Sequence, residues 1–237
     1  GCMDNVRGYE VHPHSWPYMA AIWDKNLGVF SGGTLVEKQW VLTAAHCEID
    51  ELEDRVVLGA HQASVTEKEQ QIFGIMETFP DCQFDQPPFD NDIMLLKLND
   101  TAKLNKYLQL LPLPDSSEDA EPGTLSQVTG WGDTSPGQPS KYPQKATLKI
   151  VNRKRCDKHY ANDPKITNSM LCARGKSKLY LSYLRDSGGQ LNCAGQNCGI
   201  VSFGEECENT NIPGVYTRLT EECIDWIKRT ISSDRDP

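Results

Sequence analysis

The chain lacks any long uncharged apolar run of bilayer-spanning length, and it lacks a basic, apolar leader ending in small residues. The first absence argues against a helical membrane span, and the second leads us to expect that any signal peptide has already been removed. None of its nine cysteines forms a C-x-x-C pair, which argues against a zinc site, so neither metal nor cofactor is expected. Positive charge is also short. Lys plus Arg number 24 against 33 for Asp plus Glu, a formal charge of −9. That balance repels phosphate backbones and anionic membranes, and no basic stripe is read that would offset it, so neither nucleic acid nor membrane is expected as a partner. Low-complexity tracts and short-period repeats are absent too.

What is present is a 237-residue chain with 38% apolar and 24% charged residues, enough for one large all-β domain or two small ones. Scattered cysteines point to disulfides and an oxidising compartment, hence to a secreted, extracellular protein. The odd count leaves at least one thiol free or paired between chains, which opens the way to a covalent dimer. Asn99-Asp100-Thr101 has the pattern of a glycosylation acceptor. The acidic run Asp50 to Asp54 reads as a solvated loop, with no support for calcium.

Short apolar or alternating runs predict strands at 18–23, 29–35, 40–44, 55–58, 71–76, 92–98, 126–129, 146–150, 199–203 and 214–218. Turn clusters such as Ser135-Pro136-Gly137-Gln138-Pro139 separate them, the rhythm of an antiparallel all-β sandwich or barrel. Near the end, Ile224, Ile227 and Ile231 recur at helical spacing and predict a closing helix. Leu111-Pro112-Leu113-Pro114 and the acidic 115–121 read as an extended linker between two halves.

Three further segments carry chemistry: Thr43-Ala44-Ala45-His46-Cys47, Asn91-Asp92-Ile93-Met94, and Arg185-Asp186-Ser187-Gly188-Gly189. A serine hydroxyl becomes a nucleophile when an imidazole takes its proton, and the imidazole needs a carboxylate behind it to fix its tautomer. Singly, each residue reads more readily as a turn or a hydrogen-bonded structural group. Together with Gly8-Tyr9-Glu10, Ser15-Trp16-Pro17-Tyr18-Met19, Ser31-Gly32-Gly33-Thr34-Leu35, Gly130-Trp131-Gly132 and Pro213-Gly214-Val215-Tyr216-Thr217-Arg218, they form an ordered series over nearly the whole chain. The chain resembles the chymotrypsin-like (trypsin-family) serine proteases.

The resemblance implies two six-stranded antiparallel β-barrels, an N-terminal one over 18–111 and a C-terminal one over 122–222, with a closing helix at 223–231. It implies His46, Asp92 and Ser187 as catalytic residues and the N–H groups of Arg185 and Ser187 as the oxyanion hole. Leu181, Tyr183, Ser202, Phe203, Gly204 and Gly214 would form the specificity pocket, and Cys156–Cys172 a family disulfide. The family also pairs a freed amino terminus, here at Asn5, with Asp186.

Several of these positions depart from the family. Asn5-Val6-Arg7-Gly8 replaces an apolar start, and Gly1 to Asp4 precede it. Without a freed ammonium Asp186 would be a buried, unpaired carboxylate. Arg185 replaces a glycine, and losing one oxyanion donor costs roughly 3–4 kcal/mol of transition-state stabilisation. Leu181 replaces the aspartate that selects Lys or Arg, and Tyr183 replaces the family partner of Cys207. Ser31 takes the place of Cys47's partner, and Ser126 stands near that of Cys193. Cys193–Cys198 and Cys82–Cys223 are candidate new pairs, while Cys2, Cys47 and Cys207 have no evident partners. Three readings follow: a protein-binding homologue with little or no peptidase activity, an endopeptidase of narrow, non-trypsin-like specificity, and, ranked last, a zymogen awaiting cleavage. Proteins or peptides are the partners in each.

Overall fold

Strand β7 (Met94–Leu98) explains how one short run can serve two cores. Met94, Leu96 and Leu98 point into a barrel, whereas Leu95, like Ile93 just before it, packs on the opposite face beneath the C-terminal helix. A period of two sends successive side chains to opposite faces, so an unbroken apolar run suits a strand buried on both. The computed structural model describes residues 9, 10, 12, 15–62, 65–81, 83–84, 89–135, 138–175, 187–204 and 212–234, with only the backbone of 9, 10, 133–135, 138 and 139.

The chain begins with β1 (Tyr9–Glu10) and then β2 (Met19–Asp24), β3 (Gly28–Glu37), β4 (Trp40–Thr43), β5 (Arg55–Leu58) and β6 (Gln71–Pro80), ahead of β7. Strands β2 to β7 close into an antiparallel barrel in the order β2-β3-β4-β7-β6-β5. Ile22, Leu35, Val56, Leu58 and Phe73 complete its interior with the β7 side chains.

The second barrel uses β8 (Leu125–Gly130), β11 (Gln144–Val151), β12 (Met170–Gly175), β13 (Gln190–Cys193), β14 (Gln196–Phe203) and β15 (Gly214–Arg218). Strand β8 pairs with both β11 and β13, which closes the ring β8-β11-β12-β15-β14-β13. A two-stranded ribbon, β9 (Asp133–Ser135) and β10 (Gln138–Pro139), follows β8, and β1 adds to β11. Val128, Leu148, Leu171, Leu191, Val201 and Tyr216 fill this barrel. The expected fold class, two six-stranded barrels and a C-terminal helix, is therefore present.

Among the described residues the helices are α1 (Arg153–His159) and α2 (Glu221–Ser233). The Thr220 side chain caps α2 by accepting the Cys223 N–H at 3.2 Å, and Glu221 and Glu222 complement the positive end of its dipole. Its buried face is Cys223, Ile224, Ile227 and Ile231, packed against Trp40, Leu42, Ile93 and Leu95 of the first barrel and Ile200 of the second. Each buried isoleucine contributes on the order of 1.5–3 kcal/mol. Among the described residues no helix is long and apolar enough to cross a membrane.

Strands β1, β9, β10, β12 and β13 and helix α1 have no counterpart in the periodicity reading, and β6 runs on to Pro80 instead of stopping at Met76. Met170-Leu171-Cys172-Ala173 is too short an apolar run to separate strand from helix without its partners on β11 and β15. The linker is pinned and not loose. Leu111 donates to the Leu35 carbonyl at 2.9 Å, and Asp119 takes both terminal nitrogens of Arg153 at 2.9 and 3.0 Å. The acidic run 50–54 is likewise not wholly solvated: Asp54 is buried, accepts the Asp50 N–H at 2.8 Å, and burial raises its carboxyl pKa.

Candidate active site

Asp92 stands just before β7 and is fully buried. A carboxylate out of water is tolerated where donors surround it, and here three do. Its Oδ1 accepts the His46 backbone N–H at 2.8 Å. Its Oδ2 lies 2.6 Å from His46 Nδ1 and 2.5 Å from the Ser202 hydroxyl, which donates to it. The Thr217 hydroxyl binds the Asp92 carbonyl at 2.8 Å. Ser202 and Thr217 belong to β14 and β15, so the second barrel grips an acid carried by the first.

His46 follows β4, with its side chain 22% exposed. With Nδ1 turned to Asp92, Nε2 faces the Ser187 hydroxyl at 3.1 Å. That is the geometry in which an imidazole takes a hydroxyl proton while a carboxylate fixes its tautomer.

Ser187 is held through its backbone. Its carbonyl accepts the Gly32 N–H at 2.8 Å and the Ser31 hydroxyl at 2.7 Å, both from β3. The chain then turns through Gly188 at φ +82°, whose N–H reaches the Val201 carbonyl at 2.9 Å. A Cβ on Gly188 would sit 2.1 Å from Thr43 Oγ1 and 2.4 Å from the Gly32 carbonyl. Glycine is thus required twice, for the left-handed turn and for the close approach of the two barrels.

The Ser31 hydroxyl also lies 2.9 Å from the Cys47 thiol, so serine and cysteine face each other where the resemblance implied a lost disulfide. Burial pushes the Cys47 thiol up to about 12. In the second barrel Cys156–Cys172 and Cys193–Cys198 are joined, with S–S distances of 2.00 and 2.01 Å. Ser126 is the register partner of Cys193 on β8. The expected Cys82–Cys223 pair is not formed. Cys223 is a free thiol facing the apolar contact between α2 and the first barrel, while Cys82 lies outside the described residues.

Beside His46 stands an aromatic wall. Phe89 meets the imidazole edge-on at 5.8 Å and lies tilted against Phe203 at 5.6 Å, and Tyr160 meets Phe203 edge-on at 5.8 Å while donating its hydroxyl to the Pro213 carbonyl at 2.6 Å. Phe203 ends β14, Gly204 follows it half-buried, and Gly214 opens β15 opposite Ala173. The structure therefore brings His46, Asp92, Ser187, Ser202 and Phe203 together, with the Ser202 hydroxyl spent on Asp92. Asn5, Leu181, Tyr183, Arg185 and Asp186, like Cys2 and Cys207, lie outside the described residues. Among the described residues no group of three His, Cys, Asp or Glu side chains could hold a metal ion.

Three contributors escaped the sequence reading: Phe89 against His46, the Ser31 hydroxyl on the Ser187 carbonyl, and the hold of Thr217 on Asp92. Their partners lie 43, 156 and 125 residues away, so no local pattern marks them.

The family model described as Trypsin matches residues 5–227. Granzyme A of Bos taurus is 39% identical over 235 residues, covering 98% of this chain and 89% of its own length. Granzyme B(G,H) of Mus musculus is 36% identical over 231 residues, with coverage of 96% and 91%. Mast cell protease 3 of Ovis aries is 37% identical over 229 residues, with coverage of 95% and 88%.

Proposed function

Because the chain belongs to the trypsin family, we propose that it is a protease homologue which keeps His46, Asp92 and Ser187 in place but turns peptides over poorly or not at all, and which works by binding other proteins. The observation that carries this reading is Arg185, two residues before Ser187, where the family uses glycine to aim an N–H at the developing oxyanion. A bulky residue enters that backbone conformation only with strain, and losing the donor lowers kcat by roughly a hundredfold or more. Three further departures support it: Asn5 in place of an apolar first residue, Leu181 at the pocket base, and Tyr183 where a bridge to Cys207 would brace the wall. Each weakens a different part of the apparatus.

A second reading, a working serine endopeptidase of narrow specificity, is favoured by the triad distances and by a relative that is named as a protease, Mast cell protease 3. In it Ser187 Oγ attacks the scissile carbonyl, His46 Nε2 takes the proton and returns it to the leaving amine, and Asp92 steadies the imidazolium. Phe89 and Phe203 would favour an apolar substrate beside His46.

A fluorophosphonate probe and a diverse peptide library separate the two readings, beside a Ser187→Ala control. The first expects little labelling or turnover, and a gain of roughly a hundredfold in labelling rate for Arg185→Gly. Brisk labelling and turnover that vanish in the control defeat it. Two disulfides support an oxidising, extracellular location. A covalent dimer would have to use Cys2, Cys82 or Cys207, since Cys47 and Cys223 are buried.

A further inference from the structure

Folding sets three cations of this acidic chain, Lys145, Lys149 and Arg174, side by side on the outside of the second barrel. Residues 141–175 hold nine of the 24 Lys and Arg but only two of the 33 Asp and Glu. On β11 the buried Ala146, Leu148 and Ile150 turn Lys145, Thr147 and Lys149 to the outside. Lys149 and Arg174 are direct cross-strand neighbours between β11 and β12, and both are exposed. On the other flank of β11, Leu125 faces Lys149 from β8 and is 56% exposed. The sequence reading found no basic stripe because these residues come together only through strand pairing.

Like charges placed directly opposite each other on a sheet repel and weaken it. Among the described residues none of Lys145, Lys149 and Arg174 forms an ion pair that would relieve this. The neighbouring Arg153 does have a partner, and it is instructive. An extended acidic stretch of this same chain, 115–121, lies against the second barrel with Asp119 bidentate on Arg153, and the Ser117 carbonyl takes the Arg218 guanidinium at 2.8 Å. The second barrel already receives one acidic stretch, while Lys145, Lys149 and Arg174 have no ion-pair partner among the described residues.

We propose that Lys145, Lys149 and Arg174 form a docking strip for an extended acidic segment of a partner protein, with Leu125 as an apolar contact at its edge. The proposal rests on the protein-binding reading above and names the chemistry of the partner. A peptide strand lying along β11 would meet Lys145 and Lys149 four residues apart, a span of about 13 Å that matches carboxylates at the same spacing on an extended segment. Among the described side chains Tyr142, three residues before Lys145, is already stacked on His61 at 4.9 Å, and this disfavours it as a platform for the bases of a nucleic acid.

The test is fluorescence anisotropy with a labelled decaglutamate peptide at low salt, beside decaglutamine, heparin fragments and single-stranded DNA of equal anion count. We expect binding of decaglutamate alone among the peptides, weakened at high salt and reduced roughly tenfold or more in the triple variant Lys145→Gln/Lys149→Gln/Arg174→Gln. Lys154→Gln/Lys158→Gln, on α1, should bind as the parent does. The triple variant should melt no lower than the parent, because it relieves the Lys149–Arg174 repulsion. Absent binding, equal binding by the triple variant, or tighter binding of heparin or DNA than of decaglutamate overturns the strip. These readings use no turnover, so the strip can fail while the fluorophosphonate result stands, and the reverse.

Discussion

The two barrels share an architecture and differ in what holds them and in what they carry. Between Met19 and Leu98 the first has five Lys and Arg against fourteen Asp and Glu, and it contributes His46 and Asp92. It carries no disulfide among the described residues: Cys47 faces Ser31, and its interior and the α2 contact are closed by aliphatic and aromatic packing. The second contributes Ser187, carries both described disulfides, and turns its cations outward on β11 and β12. The acid and base thus sit on the apolar, acidic barrel, and the nucleophile on the cross-linked, basic one. What joins them is a small set of polar contacts around Ser187 and Asp92, so reactivity depends on a seam between two independently built cores.

The seam gives the largest expected effect. Gly188→Ala forces a Cβ into Thr43 Oγ1 and the Gly32 carbonyl at positive φ, and it should cost about 3 kcal/mol or more, read as a lower urea midpoint together with loss of any fluorophosphonate labelling. Unchanged stability would mean that the barrels approach less closely than described.

Next comes the difference in cross-linking. Ser31→Cys places a thiol 16 residues from Cys47, the same separation as Cys156 from Cys172, and the bridge that forms should add about 3 kcal/mol, offset in part by the lost hydrogen bond to the Ser187 carbonyl. Melting with and without reductant measures it, and a thiol count that does not fall on oxidation would show that the first barrel cannot close over a bridge.

The last effect is confined to alkaline pH. Burial raises both Cys47 and Cys223 from 9.0 to about 12, so the fold keeps these thiols protonated while the unfolded chain ionises them. The unfolded state therefore holds fewer protons above pH 9, and stability should fall as pH climbs from 9 towards 12. Both thiols should resist Ellman's reagent in the native protein and react on unfolding. Loss of the slope in Cys47→Ala/Cys223→Ala would assign it to them.

Much of this was legible in the chain. Arg55 to Leu58 and Gly214 to Arg218 are strands with the expected bounds, because short β-branched or aromatic runs between turns have little alternative. The closing helix was visible in the spacing of Ile224, Ile227 and Ile231, although it starts at Glu221, where Thr220 supplies the cap. Strand β13 was missed, because Gln190-Leu191-Asn192-Cys193 is apolar at only two positions and owes its conformation to pairing with β8 and β14. Within the site, residue identities marked His46, Asp92 and Ser187, but nothing local to Ser202 or Thr217 announced that each would spend its hydroxyl on Asp92.

By itself the sequence determined which side chains are available and how each segment prefers to run, because alternation, spacing and turn residues act over a few positions. Only the tertiary structure decided that Ser187 and His46, 141 residues apart, stand 3.1 Å from one another, and that Lys149 and Arg174 become neighbours in an acidic protein. The reason is that hydrogen bonds and charge interactions act over ångströms in space, whereas closing two barrels brings together positions more than a hundred residues apart along the chain.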